Sequence, residues 1–165
     1  MTLPGWMEWG CLGAVTLPVP PSANRLWVIF RGNPTRSAAY TRWLKECAPI
    51  VRENIKATTE PVTVKIFFTP GKGVMSTADL DNFIKPCLDL LTPEKYKALK
   101  DGQTKPQLSK PGAGVIAGDS MEHVKEIGCS LMKEPKKIKG RRAEAEITIV
   151  VHGLTETPEH LEVVA

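Results

Sequence analysis

Cysteine pairs are missing from this 165-residue chain: Cys11, Cys47, Cys87 and Cys129 stand far apart, with no CxxC among them. That spacing excludes a zinc ribbon and a disulfide framework as sources of stability. Cys87 falls on the apolar side of a predicted helix, where a small buried thiol is common, so reduced thiols and a cytoplasmic location are expected. His123, His152 and His160 lack the spacing of metal ligands and receive no role. No apolar run approaches the length that spans a bilayer, so no membrane partner is expected. The opening MTLPGWMEWGCLGAV carries Glu8 and no basic leader, and no secretory signal is expected from it. Internal repeats and domain breaks are absent as well.

What is present is an ordinary globular composition, 42% hydrophobic and 24% charged, in a chain long enough to bury one core without staples. The net charge of +4 is mildly basic and by itself a weak pointer to an anionic partner. One domain over residues 1–153 is expected, with a tail over 154–165.

Residues 12–19, LGAVTLPV, read as a first strand stopped by Pro20-Pro21. From Ser37, a plausible N-cap, Tyr40, Trp43, Leu44, Cys47, Ile50, Val51 and Ile55 recur at helical spacing, and Pro49 should kink or split that helix. VTVKIFFT over 62–69 is a second strand by its β-branched and aromatic content. A second helix follows over about 82–91, with Asp81 at its N-cap. Residues 93–113 read as a polar insert with one helical turn near Glu94–Lys100. Strands over about 123–132 and 143–153 close the chain. The order β-α-β-α-β-β predicts an α/β (α+β) fold: a single domain, a mixed sheet and helices on one face.

The chemistry concentrates in TADLDNFIKPCLDLLT, residues 77–92. Asp79 and Asp81 stand one residue apart. At roughly 4 Å and an effective dielectric near 20, two such carboxylates repel by about 4 kcal/mol, so water, a shared proton or a cation must offset them. Alternate residues of an extended approach would aim both at one point beyond the helix N-terminus. Two oxygen ligands without His or thiolate suit a hard cation, Mg²⁺ with Mn²⁺ as a substitute. Lys85 lies one turn on, on the face of Asp81, able to meet a phosphate or protonate a leaving oxygen. GVIAGDS delivers Asp119 from elsewhere in the sheet as a third carboxylate, the equipment of metal-assisted phosphodiester hydrolysis. The plainer alternatives are a helix cap with a solvated ladder Asp81–Lys85–Asp89, and a turn aspartate at 119.

TLPVPPSANRLW, then a helix and a strand, then DLDNFIKPCLDLLT and GVIAGDSMEHV together resemble the RusA family of Holliday-junction resolvases over roughly residues 13–152. The resemblance implies a small endodeoxyribonuclease of recombination and repair, frequent in phages and prophages, that resolves four-way DNA as a homodimer by paired nicks. It places Asp79, Asp81 and Asp119 on the family's Mg²⁺-binding aspartates and Lys85 on its catalytic lysine. Asn24 and Arg25 fall on the opening motif beside the active-site surface. Three departures stand out: Gly118 before Asp119, where the family usually shows two acidic residues ahead of the third-aspartate turn, Ser76-Thr77-Ala78 in place of arginines, and the lysine-rich 93–113 insert as a replacement source of phosphate contacts.

KEPKKIKGRR over 133–142 carries six basic residues against one acid. Lys136, Lys137, Lys139, Arg141 and Arg142 can track phosphates, the reading favoured because the acidic site calls for a polyanionic substrate, while protection of a hairpin tip from aggregation is the plainer one. Trp27 and Phe30, beside Arg25 and Arg31, are expected as core residues of the sheet edge, with stacking on opened bases as the other possibility. A non-catalytic branched-DNA-binding protein on the same fold is the alternative function, and a small-substrate metal phosphatase a more distant one.

Overall fold

The computed structural model describes residues 7–72, 79–133 and 143–156. Among the described residues four strands form the main sheet: β1 (Met7–Pro18), β4 (Val62–Thr69), β7 (Val124–Leu131) and β8 (Glu146–Glu156), in the order β1-β8-β4-β7. β8 pairs antiparallel with both neighbours, and β4 pairs in parallel with β7. Helix α1 (Ala38–Asn54) joins β1 to β4 and helix α2 (Asp81–Leu91) joins β4 to β7, so the framework runs β-α-β-α-β-β as the periodicities predict.

Alternation decides which face is covered. Val62, Val64, Ile66 and Phe68 of β4 are buried with Ile147, Ile149 and Val151 of β8, in one cluster with Tyr40, Leu44, Val51, Phe83, Leu90 and Leu91 of the helices. Lys65, Thr16 and Thr148 occupy the other face, where the two threonine hydroxyls hydrogen-bond at 2.8 Å across β1 and β8. The helices therefore cover one side of the sheet. In β1 the alternation slips at a bulge between Cys11 and Gly13, which lets Leu12 and Val15 both turn inward. Gly13 has φ +148, and a Cβ there would lie 2.0 Å from the Asn54 carbonyl at the end of α1, so only glycine lets helix and strand approach so closely.

Several local expectations are corrected. α1 is not split at Pro49, which withholds an N–H from the carbonyl four residues earlier. Ile50 is exposed and Ala48 takes the inward position. The N-cap of α2 is Leu80 and Asp81 is its first helical residue, with no side-chain cap. β8 continues to Glu156, past Gly153, paired with Met7–Cys11. Inside the 93–113 insert the chain forms no helical turn but a small ribbon of β5 (Lys95–Tyr96) and β6 (Leu108–Lys110).

The largest correction concerns Trp27 and Phe30, which are not core. Strands β2 (Trp27–Phe30) and β3 (Asn33–Arg36) make a separate hairpin, closed by Arg31 and Gly32 at φ 49 and 77, the left-handed pair of a type I′ turn. Two strands are too few to bury both faces, so all four residues of β2 stay exposed. The Ser37 N-cap is as expected: its hydroxyl accepts from the Tyr40 amide at 3.2 Å.

Candidate active site

The acidic segment enters α2 through a turn. Leu80 has φ −64 and ψ −35, and the Asn82 amide reaches the Asp79 carbonyl at 3.3 Å. The approach is thus helical at Leu80 rather than extended, and the same-side alternation expected of Asp79 and Asp81 does not hold. Both side chains are exposed, at the end of α2 where unpaired N–H groups favour negative charge. Phe83 fixes this end of the helix, its ring stacked on Phe68 of β4 with centroids 5.1 Å apart.

The far end of α2 is held by the returning insert. Amides of Ala113, Gly114, Val115 and Ile116 donate to the carbonyls of Leu90, Thr92 and Leu91, at 2.7 to 3.2 Å. These bonds satisfy the orphan carbonyls of the helix and lead the chain directly into the turn that carries Asp119. Val124 and His123 amides then close on the Ser120 carbonyl, and β7 begins.

Asp119 is therefore brought to α2. Its Oδ2 lies 3.5 Å from Lys85 Nζ, and Lys85 also meets Asp89 Oδ1 at 2.7 Å. By helical spacing Lys85 shares a face with Asp81, about 6 Å further along the axis. Lys85 thus contacts Asp119 while sharing a helix face with Asp81. Among the described residues no three His, Cys, Asp or Glu gather closely enough to hold an ion. The structure joins Asp119 to Lys85, and does not collect Asp79, Asp81 and Asp119 into one ligand set.

Asp89 is not a rung of a surface ladder. It is 9% exposed, and its second carboxylate oxygen accepts from the Tyr40 hydroxyl at 2.5 Å. Tyr40 is fully buried, and that burial together with Asp89 pushes its pKa far up, so the hydroxyl keeps its proton and donates. Burial alone works to lower the Lys85 pKa. The Asp89 and Asp119 carboxylates outweigh it and hold the group above its ordinary value, protonated at neutral pH.

Lys110, from the insert, is also buried rather than available to phosphate. Its ammonium donates to the Asp89 carbonyl and, at 2.8 Å, to Thr92 Oγ1. Burial, with Lys95, Arg36 and Lys85 adding to it against the pull of Asp89, lowers its pKa to about 8. The other insert lysines, Lys95, Lys97, Lys100 and Lys105, are exposed.

Asn24 and Arg25 lie on a 3-10 turn (Ala23–Arg25) and are exposed. Arg25 borders an open groove of about 740 Å³ with Arg42, Trp43 and Phe83, which connects the opening motif to the start of α2. Lys136, Lys137, Lys139, Arg141 and Arg142 lie outside the described residues, as do Ser76, Thr77 and Ala78. Gly118, the departure from the resemblance, has a physical counterpart: a Cβ there would lie 2.6 Å from the His123 ring.

Tyr40, Asp89 and Lys110 escaped the sequence reading as site residues. The signal that could have found Asp89 is a carboxylate inside an apolar run, one turn beyond a lysine. For the other two no local pattern exists. Among the described residues no helix is long and apolar enough to cross a membrane. In comparisons with known proteins, no family model matches the chain and no curated protein matches it.

Proposed function

We propose that the chain is a Mg²⁺-dependent, structure-selective endodeoxyribonuclease that resolves Holliday junctions and other branched DNA by paired nicks from a homodimer, in recombination and repair. The observation that carries the reading is the contact of Lys85 with Asp119, at 3.5 Å, one helical turn from Asp81. Two segments far apart in sequence supply a protonated amine and carboxylates to one surface.

The donor set suits the metal in its chemistry, though the described residues do not assemble it. Asp79 and Asp81 are exposed oxygen donors, and Mg²⁺ binds through one or two carboxylates while keeping several waters. Asp79, Asp81 and Asp119 would supply the oxygens that hold the ion, by turning side chains that the structure leaves apart toward it. When bound, it supplies neutralisation of charge on the scissile phosphate and activation of a water. Lys85, held protonated by Asp89, presents positive charge to the phosphoryl oxygens and a proton to the leaving oxygen. Arg25 and Arg42 along the adjoining groove attract the flanking phosphates.

The test is a labelled synthetic four-way junction incubated with Mg²⁺ or with EDTA. Cleavage in Mg²⁺ only, lost in Asp81→Asn with junction binding retained, is the expected result. Wild-type cleavage rates in Asp81→Asn would sink the assignment. Binding by the wild type with no cleavage in Mg²⁺ or Mn²⁺ would instead assign a branched-DNA-binding protein.

A further inference from the structure

The β2–β3 hairpin exposes Trp27, Val28, Ile29 and Phe30 at 53%, 49%, 73% and 59%. Contiguous apolar exposure of this kind on a soluble domain marks a contact surface. Side-chain alternation puts Trp27 and Ile29 on one face of the ribbon and Val28 and Phe30 on the other, so each face carries one aromatic ring. Each ring is backed by a cation: the Arg36 guanidinium stands 5.2 Å from the Trp27 centroid and that of Arg31 5.3 Å from the Phe30 centroid.

Charge identifies the occupant. From Trp9 to Lys45 the chain has no Asp or Glu, while Arg25, Arg31, Arg36, Arg42 and Lys45 fall within it. A symmetric contact with a second copy centred on the ribbon would set this basic hairpin against itself. A polyanion that also offers flat apolar rings meets both requirements: unpaired bases on a phosphate backbone.

The hairpin is also tied to the candidate active site. Arg36 donates to the Ser109 carbonyl at 2.6 Å and lies 5.8 Å from the Tyr40 ring centroid, and Tyr40 holds Asp89, the partner of Lys85. The base of the ribbon is thereby fixed in orientation relative to the lysine.

We propose that the Trp27–Arg36 hairpin is a stacking wedge that enters the opened branch point of DNA, with Trp27 and Phe30 against unpaired bases and Arg25 and Arg31 on the flanking phosphates. The proposal rests on the branched-DNA reading above and adds to it how the branch is distinguished from duplex.

The full chain is titrated, in EDTA so that nothing is cut, against a four-way junction carrying 2-aminopurine at the crossover, and against a flush duplex. Expected is a change in 2-aminopurine emission on binding, which Trp27→Ala with Phe30→Ala abolishes. The double variant also binds the junction about tenfold weaker or worse, with an unchanged melting temperature and molecular mass. Retained emission change and affinity in the double variant overturn the proposal. A fall in subunit number in that variant overturns it too, assigning the ribbon to self-association. Wild type that binds no branched DNA overturns wedge and branched-DNA reading together, whereas wild-type binding without cleavage in Mg²⁺ sinks only the nuclease.

Discussion

The Tyr40 hydroxyl donates to Asp89 Oδ2 at 2.5 Å, joining α1 to α2 through a buried carboxylate whose other oxygen holds Lys85. A carboxylate can accept on both oxygens at once, and a carboxamide cannot. Asp89→Asn therefore leaves either Tyr40 or Lys85 without its acceptor. Unfolding free energy should fall by about 1–3 kcal/mol. If Lys85 acts on the phosphate, kcat for junction cleavage should fall roughly tenfold or more with KM little changed, the signature of an interaction made in the transition state. Tyr40→Phe removes one donor and leaves Lys85 paired, so it should cost about 1–2 kcal/mol of stability and less activity. Denaturant melts and steady-state kinetics of the two variants side by side check the ordering.

Lys110 offers a pH test independent of function. Its folded pKa is about 8, below the ordinary lysine value of 10.5. Below pH 8 the amine is protonated folded and unfolded, and the penalty for burying that charge is fully present. Between 8 and 10.5 the unfolded chain binds more protons than the folded one, so this group's contribution to stability rises with pH. Lys110→Met keeps most of the volume and removes the titration. The stability difference between wild type and Lys110→Met should move in favour of wild type by about 1–3 kcal/mol from pH 7.5 to 10.5. A flat difference in thermal melts across that range would contradict the buried charge.

Gly118 should resist the acid that the resemblance calls for. A Cβ there meets His123 Cδ2 at 2.6 Å. Gly118→Asp must displace the imidazole and should cost about 1–3 kcal/mol. His123→Ala removes the obstacle, so the double variant should be more stable than the sum of the single changes by 1 kcal/mol or more, roughly the size of coupling seen for residues in contact. Equilibrium unfolding of the four proteins of the cycle measures that coupling.

The framework was legible because its signals are periodic. Period-two burial in VTVKIFFT and helical spacing from Tyr40 to Val51 report which side of each element meets the core, and a strand or helix must obey them along its length. Asp119 was legible as a turn residue, and its meeting with Lys85 follows from the return of the insert to the end of α2. What stayed hidden depends on contacts between distant segments. Nothing local to WVIF says that the sheet has no room for it, because the same residues suit a buried strand and an exposed ribbon. Nothing local to Lys110 separates it from the exposed lysines of the insert. Only the Asp89 carbonyl and the Thr92 hydroxyl at the end of α2, which its ammonium meets, explain why this one turns inward.

Asp119 has two claims upon it, and their competition can be measured. Its Oδ2 is 3.5 Å from the Lys85 ammonium, which itself is drawn to Asp89 at 2.7 Å. A divalent ion recruiting Asp119 would have to outcompete that ammonium, and would feel its positive charge within a few ångströms. Lys85→Met removes both effects. If Asp79, Asp81 and Asp119 share an ion, Mn²⁺ should bind Lys85→Met about tenfold tighter than wild type, while Asp119→Asn should bind it more weakly. The same Lys85→Met protein should cut junctions more slowly than wild type, since it lacks the charge facing the phosphate. Tighter metal with lower activity separates the two roles. Equal Mn²⁺ affinity in wild type, Lys85→Met and Asp119→Asn, read by calorimetry or by electron paramagnetic resonance of the free ion, would place the metal on Asp79 and Asp81 alone and leave Asp119 as the partner of the lysine.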